Sequence, residues 1–245
     1  MNRKTILVTG AARRVGSAIA RVLHATGANI LVHYHLASEA AAALVAELNL
    51  ARPSSAACLQ ADLRQVETSP PLVAATIDRF GRLDALVNNA SSFFPTPFGS
   101  IDLAAWDELL DSNLKAPLFL TQAAAPHLAD SRGAVVNITD IHAERPLAGY
   151  PLYCAAKAGL LGLTRALAIE LAPLVRVNAV APGPILWPES DLFDSAARAE
   201  ILAHTLLQRA GCPQDIAHAV RYLLEDAAYV TGQVINVDGG RTAHL

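Results

Sequence analysis

The sequence has few of the residues that mark a disulfide-bonded, metal-binding or nucleic-acid-binding protein. Its 245 residues include three cysteines, Cys58, Cys154 and Cys212, an odd number without the paired spacing of a disulfide framework or a zinc site. Reduced thiols fit a protein of the cytoplasm, and no metal site is expected. The formal net charge is -3, and the 19 Lys and Arg residues form no basic stripe, so a nucleic-acid partner is not expected.

Long apolar runs and internal repeats are also missing. The apolar run from Thr5 to Val8 is too short for a signal peptide, and no segment approaches the length expected of a membrane span. Since there are no repeats, low-complexity stretches or linkers, the sequence gives no reason to divide the chain. We expect one domain over residues 1–245, with 53% hydrophobic residues to supply its core.

The sequence does contain a regular alternation of strand and helix patterns. Short apolar runs predict strands at residues 4–9, 29–33, 56–60, 84–87, 133–139, 175–180 and 233–237. Helical spacing predicts helices at residues 15–27, 38–50, 66–80, 102–129, 150–171, 191–207 and 213–224. This order predicts a Rossmann-like α/β fold, a doubly wound parallel sheet with helices on both faces and ligands at the carboxyl ends of the strands.

Three of these helices carry more specific expectations. Gly27 is placed to end the first helix, and Ser38 is placed to cap the second. In the helix at residues 102–129, Pro117 would remove the backbone hydrogen bond to the carbonyl of Asn113. We therefore expect that helix to kink at Asn113.

Three proton-handling side chains follow the predicted strand at residues 133–139. Asp140 comes directly after it, and Tyr153 and Lys157 lie four residues apart on one face of the next helix. A nearby ammonium group favours the ionised phenol and lowers its pKa, which makes a tyrosine usable as an acid or base near neutral pH. Tyr-x-x-x-Lys alone also occurs in ordinary amphipathic helices, so the assignment depends on other motifs.

The first strand-to-helix turn has glycines at Gly10 and Gly16, with Arg13 and Arg14 between them. The amides of this turn and the helix N-terminus are placed to face a pyrophosphate. Arg14 could add positive charge toward a phosphate or toward an anionic or polar substrate. The alternative is a turn glycine followed by two solvated arginines.

The second strand ends without the Asp or Glu that would hold a ribose 2′-hydroxyl. Arg13, His33, His35 and Ser38 are candidates to meet a 2′-phosphate instead, which favours NADP over NAD, although His35 could merely end the strand. Asp62, after the third strand, could accept from the adenine amino group or could only cap a turn.

In combination, these motifs resemble the short-chain dehydrogenases/reductases over essentially the whole chain. The matching elements are Thr9-Gly-x-x-x-x-x-Gly16, Asn88-Asn-Ala90, Asn113, Tyr153-x-x-x-Lys157 and Pro182-Gly183, in the order and spacing of that family. The resemblance implies that Tyr153 donates a proton, that Lys157 holds the nicotinamide ribose and lowers the Tyr153 pKa, and that Asn113 carries a relay water. It also implies a nicotinamide cofactor and, commonly, a homotetramer.

Several departures from the common family pattern look like the pteridine reductases. Asp140 replaces the usual Ser and Arg14 the usual Gly, and His33-Tyr-His35 and Asn88-Asn-Ala-Ser-Ser-Phe-Phe-Pro-Thr-Pro97 also match. In that subgroup the residues matching Arg14 and Ser91 contact cofactor phosphate and pterin, and the residue matching Phe93 covers the pterin ring. Leu36 and Ala37 replace an Arg and a Ser of that subgroup, so the expected grip on a 2′-phosphate is thinner.

The sequence thus predicts an NADPH-dependent reductase of a pterin ring C=N bond. The predicted catalytic residues are Asp140, Tyr153, Lys157 and Asn113, and the predicted substrate contacts are Arg14, Ser91, Phe93, Asp140 and Tyr153. The predicted cofactor contacts are Gly10, Arg13, Arg14, Val15, Gly16, His33, Tyr34, His35, Ser38, Asp62, Leu63, Asn89, Ala90, Ser91, Tyr153, Lys157, Pro182 and Gly183.

Several alternatives stay open at this point. Phe93 and Phe94 could anchor a hydrophobic loop, and the apolar segment at residues 185–193 could pack rather than close over a substrate. A general carbonyl reductase, for instance of a 3-oxoacyl thioester, is the second enzyme hypothesis, although Asp140 argues against it. A cofactor-binding sensor without activity would not need the Tyr, Lys and Asn set. The C-terminal tail could bring Arg241 to a neighbouring subunit's site.

Overall fold

The computed structural model describes residues 1, 3–187 and 193–243. Within these residues, seven strands form one parallel sheet in the order β3-β2-β1-β4-β5-β6-β7. The strands are β1 Thr5–Val8, β2 Asn29–Tyr34, β3 Ala56–Gln60, β4 Ala85–Asn88, β5 Ala134–Ile138, β6 Arg176–Pro182 and β7 Val234–Val237. The Rossmann-like parallel α/β fold expected from the alternating pattern is confirmed.

Helices lie between the strands. They are α1 Arg14–Ala25, α2 Ser38–Ala51, α3 Ser69–Phe80, α4 Leu103–Leu110, α5 Ala116–Ser131, α6 Pro151–Glu170, α7 Ser195–Ala203 and α8 Pro213–Glu225. A 3-10 turn at Val66–Thr68 precedes α3, so the α-helix predicted from residue 66 begins at Ser69. Further 3-10 turns are Ile141–Ala143 and Arg241–Ala243. The start predicted for α7, at residue 191, lies outside the described residues.

The long helix predicted at residues 102–129 is interrupted around Asn113. A π-helical turn, Asp111–Lys115, joins α4 to α5, and the Ala116 N–H donates to the carbonyl of Asp111, five residues back. Pro117 follows in the first turn of α5, where a missing N–H is tolerated. The interruption therefore lies where Pro117 indicated, and it takes the form of a widened turn.

The predicted helix ends had different outcomes. Gly27 follows α1 with a φ of 94°, the left-handed conformation of a glycine that ends a helix. Ser38 is the first residue of α2, and its side chain makes no capping hydrogen bond with the described residues, so the predicted cap is wrong. At α4, by contrast, Asp102 caps the helix by accepting from the Ala105 N–H at 2.7 Å.

Both faces of the sheet are covered, because alternate strand residues point to opposite sides. One core contains Ile6 and Val8 of β1 together with side chains of α1 and α8, including Ile19, Leu23, Ile216 and Val220. The other core contains Leu7 of β1 with side chains of α3 and α5, including Leu72, Leu120 and Leu128. The two cores fix the strand register, and they leave the carboxyl ends of the strands together at one edge.

Among the helices that the structure describes, α6 is long and apolar enough, by length and composition alone, to cross a membrane. It has 20 residues and a mean hydropathy of 1.3. The expectation that no segment reaches this length is therefore wrong. Half of its apolar window is buried inside the fold, where it packs against β6 and α4. It also buries a charged residue, Lys157. These contacts are those of a core helix in a sheet protein.

Candidate active site

A cavity of about 770 Å³ lies at the carboxyl ends of the strands, within the usual size range of small-molecule and cofactor sites. Most of the predicted site residues line it: Gly10, Arg13, Arg14, Val15, Gly16, His33, His35, Asp62, Leu63, Asn89, Ala90, Ser91, Phe93, Asp140, Tyr153, Lys157, Pro182 and Gly183. The structure therefore brings the predicted cofactor, substrate and proton-handling residues to one place.

Three predicted site residues are not among those that line the cavity: Tyr34, Ser38 and Asn113. Tyr34, the last residue of β2, packs against the core on the α1 side of the sheet. Its neighbour His33 points to the opposite side, because successive strand residues face opposite ways. Ser38 is exposed at the start of α2. The cofactor contacts predicted for Tyr34 and Ser38 are thus not supported by their positions.

The turn after β1 brings two segments of the chain unusually close. A Cβ atom at Gly10 would lie 2.9 Å from the Ala90 Cα, and one at Gly16 would lie 2.3 Å from the Gly10 carbonyl oxygen. Gly10 also has a φ of 59°, so glycine is required there on two grounds. The turn leads directly into the N-terminus of α1, whose amides suit a phosphate group. This arrangement fits the pyrophosphate of a dinucleotide.

His33 contacts the turn after β1 through the backbone of Gly10. Its Nδ1 accepts from the Gly10 N–H at 3.2 Å, and its Nε2 donates to the Ala61 carbonyl at 3.1 Å. Burial lowers the pKa of His33 to about 4. A neutral ring with both nitrogens engaged does not suit the predicted contact with a 2′-phosphate. His33 instead positions the backbone of the phosphate-binding turn.

Thr9 and Asn89 tie β1 to β4 at the same level. The Thr9 hydroxyl oxygen accepts from the N–H groups of Asn89 and Ala90, both at 2.9 Å. The Asn89 amide nitrogen donates to the carbonyls of Thr9 and Gly10 at 2.8 and 3.1 Å. Asn89 and Ala90, both predicted cofactor contacts, therefore also shape the turn. The sequence did not indicate that Thr9 joins β1 to β4, although Thr9 belongs to the Thr9-Gly-x-x-x-x-x-Gly16 motif.

The proton-handling group lies where β5 leads into α6. The Tyr153 hydroxyl donates to Asp140 Oδ2 at 2.7 Å, and Asp140 Oδ1 accepts from the His142 N–H at 2.8 Å. The Lys157 ammonium donates to the Ile138 carbonyl at 3.0 Å and lies 5.7 Å from the centroid of the Tyr153 ring. The expected grouping of Asp140, Tyr153 and Lys157 is present.

The electrostatics of this group differ from the expectation that Lys157 lowers the Tyr153 pKa. Burial, followed by the charge of Asp140, raises the pKa of Tyr153 well above its ordinary value. Burial lowers the pKa of Lys157 to about 8, an effect that Asp140 partly offsets. The predicted lowering of the Tyr153 pKa is therefore wrong here, because burial and then the charge of Asp140 both raise it. The phenol is held in its protonated form.

Asn113 lies in the π-helical turn, fully buried. Its amide nitrogen donates to the carbonyls of Ser92 and Leu109 at 2.9 and 3.0 Å. Its Oδ1 atom is buried and makes no hydrogen bond within the part of the chain that the structure describes. A buried acceptor of this kind fits a residue that holds an ordered water, and the relay role itself stays a prediction.

Phe93 lines the cavity but also stacks inside the protein. Its ring lies 4.7 Å from the Tyr150 ring at an interplanar angle of 10°, and 4.8 Å from the Tyr153 ring at 82°. One face of Phe93 is thus covered by Tyr150, which agrees with the anchoring alternative. Only the part of the ring that borders the cavity is left for a substrate.

Asp62 borders the cavity at the end of β3, where its carboxylate accepts from Arg64. The Arg64 backbone N–H and Nε donate to Oδ1 at 3.1 and 2.9 Å, and Nη2 donates to Oδ2 at 2.8 Å. The side-chain hydrogen bond from Arg64 is the main reason that the pKa of Asp62 is lowered to about 2. Asp62 therefore caps the turn after β3 by accepting from the Arg64 backbone N–H. Its contact with adenine stays a prediction.

Arg14 connects the first turn to the segment after β6. Its Nη2 donates to the carbonyls of Leu186 and Trp187 at 3.2 and 3.1 Å. Ile185, Leu186, Trp187 and Phe193 border the cavity, as expected of a segment that closes over a substrate. The remainder of that segment, residues 188–192, lies outside the described residues.

Arg241 lines the cavity of its own chain, whereas the sequence suggested that it could reach a neighbouring subunit. Its Nη1 donates to the carbonyl of Ile201 in α7 at 2.8 Å. Asp238 holds this turn by accepting from the Gly240 and Thr242 N–H groups at 2.9 and 2.8 Å.

Known proteins share these features along nearly the whole chain. A family model described as enoyl-(acyl carrier protein) reductase matches residues 10–242. The chain belongs to the short-chain dehydrogenase/reductase family. It is therefore an oxidoreductase of a family whose members use NAD(H) or NADP(H), and the family resemblance found in the sequence is confirmed.

Relatives within the short-chain dehydrogenase/reductase family have two different activities. Pteridine reductase 1 of Leishmania tarentolae is 40% identical in an alignment 275 residues long, which covers 96% of this chain and 94% of the relative. A 3-oxoacyl-[acyl-carrier-protein] reductase of Synechocystis sp. is 38% identical over 244 residues, covering 98% and 97%. The corresponding FabG reductase of Staphylococcus aureus is 36% identical over 240 residues, covering 97% of each chain. These identities are too close to choose between the two activities.

Arg64, Ser92 and Glu108 are among the polar residues that border the cavity and that the sequence did not indicate. The available signal was the spacing Asp62-x-Arg64, which allows a side chain to pair with its neighbour two residues away in a turn. Nothing in the sequence indicates that Glu108, 44 residues later, meets Arg64.

Proposed function

We propose that the protein reduces a pterin ring C=N bond with NADPH as the cofactor. The observation that carries this proposal is the hydrogen bond of 2.7 Å between the Tyr153 hydroxyl and Asp140. A carboxylate accepts hydrogen bonds only, so it suits the N–H and amino groups of a planar heterocycle. The carbonyl group of a 3-oxoacyl substrate has no such donor.

The residues at the cofactor side fit a dinucleotide. The Gly10–Gly16 turn offers backbone amides for the pyrophosphate. Lys157 and Gly183 border the cavity, and we assign them to the ribose and the nicotinamide. The exposed side chains of Arg13 and His35 also border it, and we assign them to the 2′-phosphate. A bound NADPH supplies the hydride.

Tyr153 is placed to give a proton to the ring nitrogen. Its raised pKa keeps the phenol protonated at neutral pH, so it serves as an acid. Lys157, with a pKa of about 8, is mostly charged at pH 7. Its ammonium group stabilises the phenolate that remains after the proton leaves. Asp140 orients the phenol, and it accepts from a substrate N–H.

A side-by-side assay tests the proposed substrate. NADPH oxidation is followed with dihydrobiopterin, dihydrofolate and acetoacetyl thioester, and each assay is repeated with NADH. We expect turnover of at least one dihydropterin compound and a preference for NADPH. Turnover of the thioester alone would overturn the pterin assignment, and a lack of turnover with all three would favour a cofactor-binding sensor.

The substitution Asp140→Ser sharpens this assay, because it restores the residue most common in the family. We expect kcat/KM for the dihydropterin to fall by about 100-fold or more, since the carboxylate acceptor is lost. NADPH affinity, measured by fluorescence titration, should stay within about twofold. Dihydropterin turnover equal to that of the wild type would contradict the role of Asp140.

Reduction of a 3-oxoacyl thioester is the second candidate. It is favoured by relatives with that activity at 36% and 38% identity. An increase in thioester turnover in the Asp140→Ser variant would support a common ancestry of the two activities without changing the assignment for the wild type.

A further inference from the structure

Four residues at the cavity form a continuous polar network outside the proton-handling group. They are Asp62, Arg64, Glu108 and Ser92, which we call the Arg64 network. The Arg64 guanidinium lies between two carboxylates, because Nη2 donates to Asp62 at 2.8 Å and Nη1 pairs with Glu108. Glu108 Oε1 in turn accepts from the Ser92 hydroxyl at 2.5 Å. The network joins the loop after β3, helix α4 and the loop after β4.

Arg64 fixes the orientation of the Asp62 carboxylate. A carboxylate offers about four lone-pair positions, and Arg64 directs three N–H groups at them. The backbone N–H donates to Oδ1, Nη2 donates to Oδ2, and Nε is shared between Oδ1 at 2.9 Å and Oδ2 at 3.2 Å. Because the Nε–H is shared, three N–H groups do not fill all four positions, and Oδ2 can accept from one further donor. The same oxygen lies 3.9 Å from His35 Nε2, so it faces the side of the cavity assigned to the nucleotide. The geometry of a planar guanidinium fork is difficult to replace with another cation.

The other end of the network reaches the substrate side. Ser92 directly precedes Phe93, and its carbonyl accepts from the Asn113 amide at 2.9 Å. Glu108 holds the Ser92 hydroxyl. A change in the position of Arg64 would therefore be transmitted through two hydrogen-bonded side chains to the loop that carries Phe93.

These contacts point to a positioning role. We propose that Arg64 orients Asp62 for the exocyclic amino group of an adenine nucleotide and, through Glu108 and Ser92, couples that end of the cavity to the placement of Phe93. The inference relies on the proposed function only for the identity of the nucleotide as NADPH. It makes Arg64 a determinant of base recognition, a property distinct from the choice between a 2′-phosphate and a 2′-hydroxyl.

The decisive probe is deamino-NADPH, in which hypoxanthine replaces adenine and the amino group is absent. Fluorescence titration of the wild type should show about tenfold weaker binding of deamino-NADPH than of NADPH, since one charge-assisted hydrogen bond is lost. In Arg64→Gln, NADPH itself should bind about tenfold more weakly, and the difference between the two nucleotides should fall below about threefold. A difference as large as in the wild type would overturn the positioning role.

Two further variants separate this role from general destabilisation. Arg21→Gln is the matched control, because Arg21 donates to Glu47 at 2.7 and 2.8 Å on the exposed surface away from the cavity. It should leave both nucleotide affinities unchanged. Arg64→Lys keeps the charge without the fork, so it should recover only part of the NADPH affinity. Arg64→Lys also serves as the test variant if Arg64→Gln does not fold, with weakened base discrimination still expected.

The coupling is tested with Arg64→Gln, Ser92→Ala and the double variant, on whichever substrate the wild type reduces. Each single change should raise the substrate KM several-fold with kcat within about threefold, and the double variant should be no worse than the poorer single variant. Additive effects would overturn the coupling. The nucleotide titrations need no substrate, so failure of the pterin assignment would leave the result for base recognition unaffected.

Discussion

The two ends of the cavity are built in different ways. At the reacting end, Tyr153 and Lys157 are 4% and 2% exposed and belong to the core helix α6. At the nucleotide end, Arg13 and His35 are exposed and lie in the turn after β1 and directly after β2. We therefore expect the chemistry to depend on the packing of helix and sheet, and the choice of cofactor to depend on solvated side chains. Substitutions at the reacting end should lower kcat, and substitutions at the nucleotide end should weaken the binding of the cofactor.

The largest effect is expected for Tyr153→Phe. This change removes the acidic hydroxyl but keeps the ring beside Phe93, so kcat should fall by about 100- to 10,000-fold. The affinity for NADPH, measured by fluorescence titration, should remain within about twofold of the wild type. A variant that kept a tenth or more of the wild-type kcat would show that another group supplies the proton.

His33 lies between the two ends and should affect stability rather than rate. Its folded pKa of about 4 lies below the unfolded value of 6.5, so the folded state resists protonation of this ring. Stability is fully retained above pH 6.5 and is lost as the pH falls toward 4, by up to about 3 kcal/mol. Urea unfolding of the wild type and His33→Gln at pH 7.0 and 4.5 measures this difference.

The glutamine variant can keep one acceptor and one donor in place of the ring, but it does not titrate. The free energy of unfolding should therefore fall more in the wild type than in His33→Gln between these two pH values. His35→Gln is the matched control, because His35 is exposed and only two residues away. Equal acid sensitivity of the wild type and His33→Gln would show that His33 is not the group responsible.

The smallest effect is expected at the exposed Arg13. Arg13→Ala should weaken NADPH binding about three- to tenfold and leave NADH binding nearly unchanged, since a solvated charge pair contributes about 1 kcal/mol. The ratio of the two affinities, measured at low and high salt, checks this. An equal loss for both nucleotides would place Arg13 at the pyrophosphate rather than at the 2′-phosphate.

The features predicted correctly were those encoded by short stretches of sequence. The uninterrupted apolar run of Ile6, Leu7 and Val8 indicates a strand that is buried on both faces. The spacing of Tyr153 and Lys157 indicates a shared helix face, and Gly10 and Gly16 indicate the turn between β1 and α1. Each of these features depends on residues close together in the sequence, so it can be predicted without knowledge of the tertiary fold.

The features predicted wrongly depend on distant parts of the chain. The raised pKa of Tyr153 follows from its burial and then from the charge of Asp140, 13 residues earlier, and the lowered pKa of His33 follows from its burial. Arg64 and Glu108 meet only because the loop after β3 lies beside α4. Charge and spacing along a sequence do not specify such distances, and pKa values depend on them strongly.

The π-helical turn at Asp111–Lys115 also explains a spacing in the sequence around it. The buried residues Leu109, Asn113, Pro117 and Thr121 recur every four positions, and in a regular α-helix each such step drifts by about 40° around the axis. Three steps would drift by about 120°, and one additional residue in a widened turn compensates for about 100° of it. The turn thus acts as a one-residue insertion that keeps these residues in a single buried stripe along α4 and α5. Deleting any one residue from it would rotate α5 relative to α4 and turn Asn113 away from Ser92.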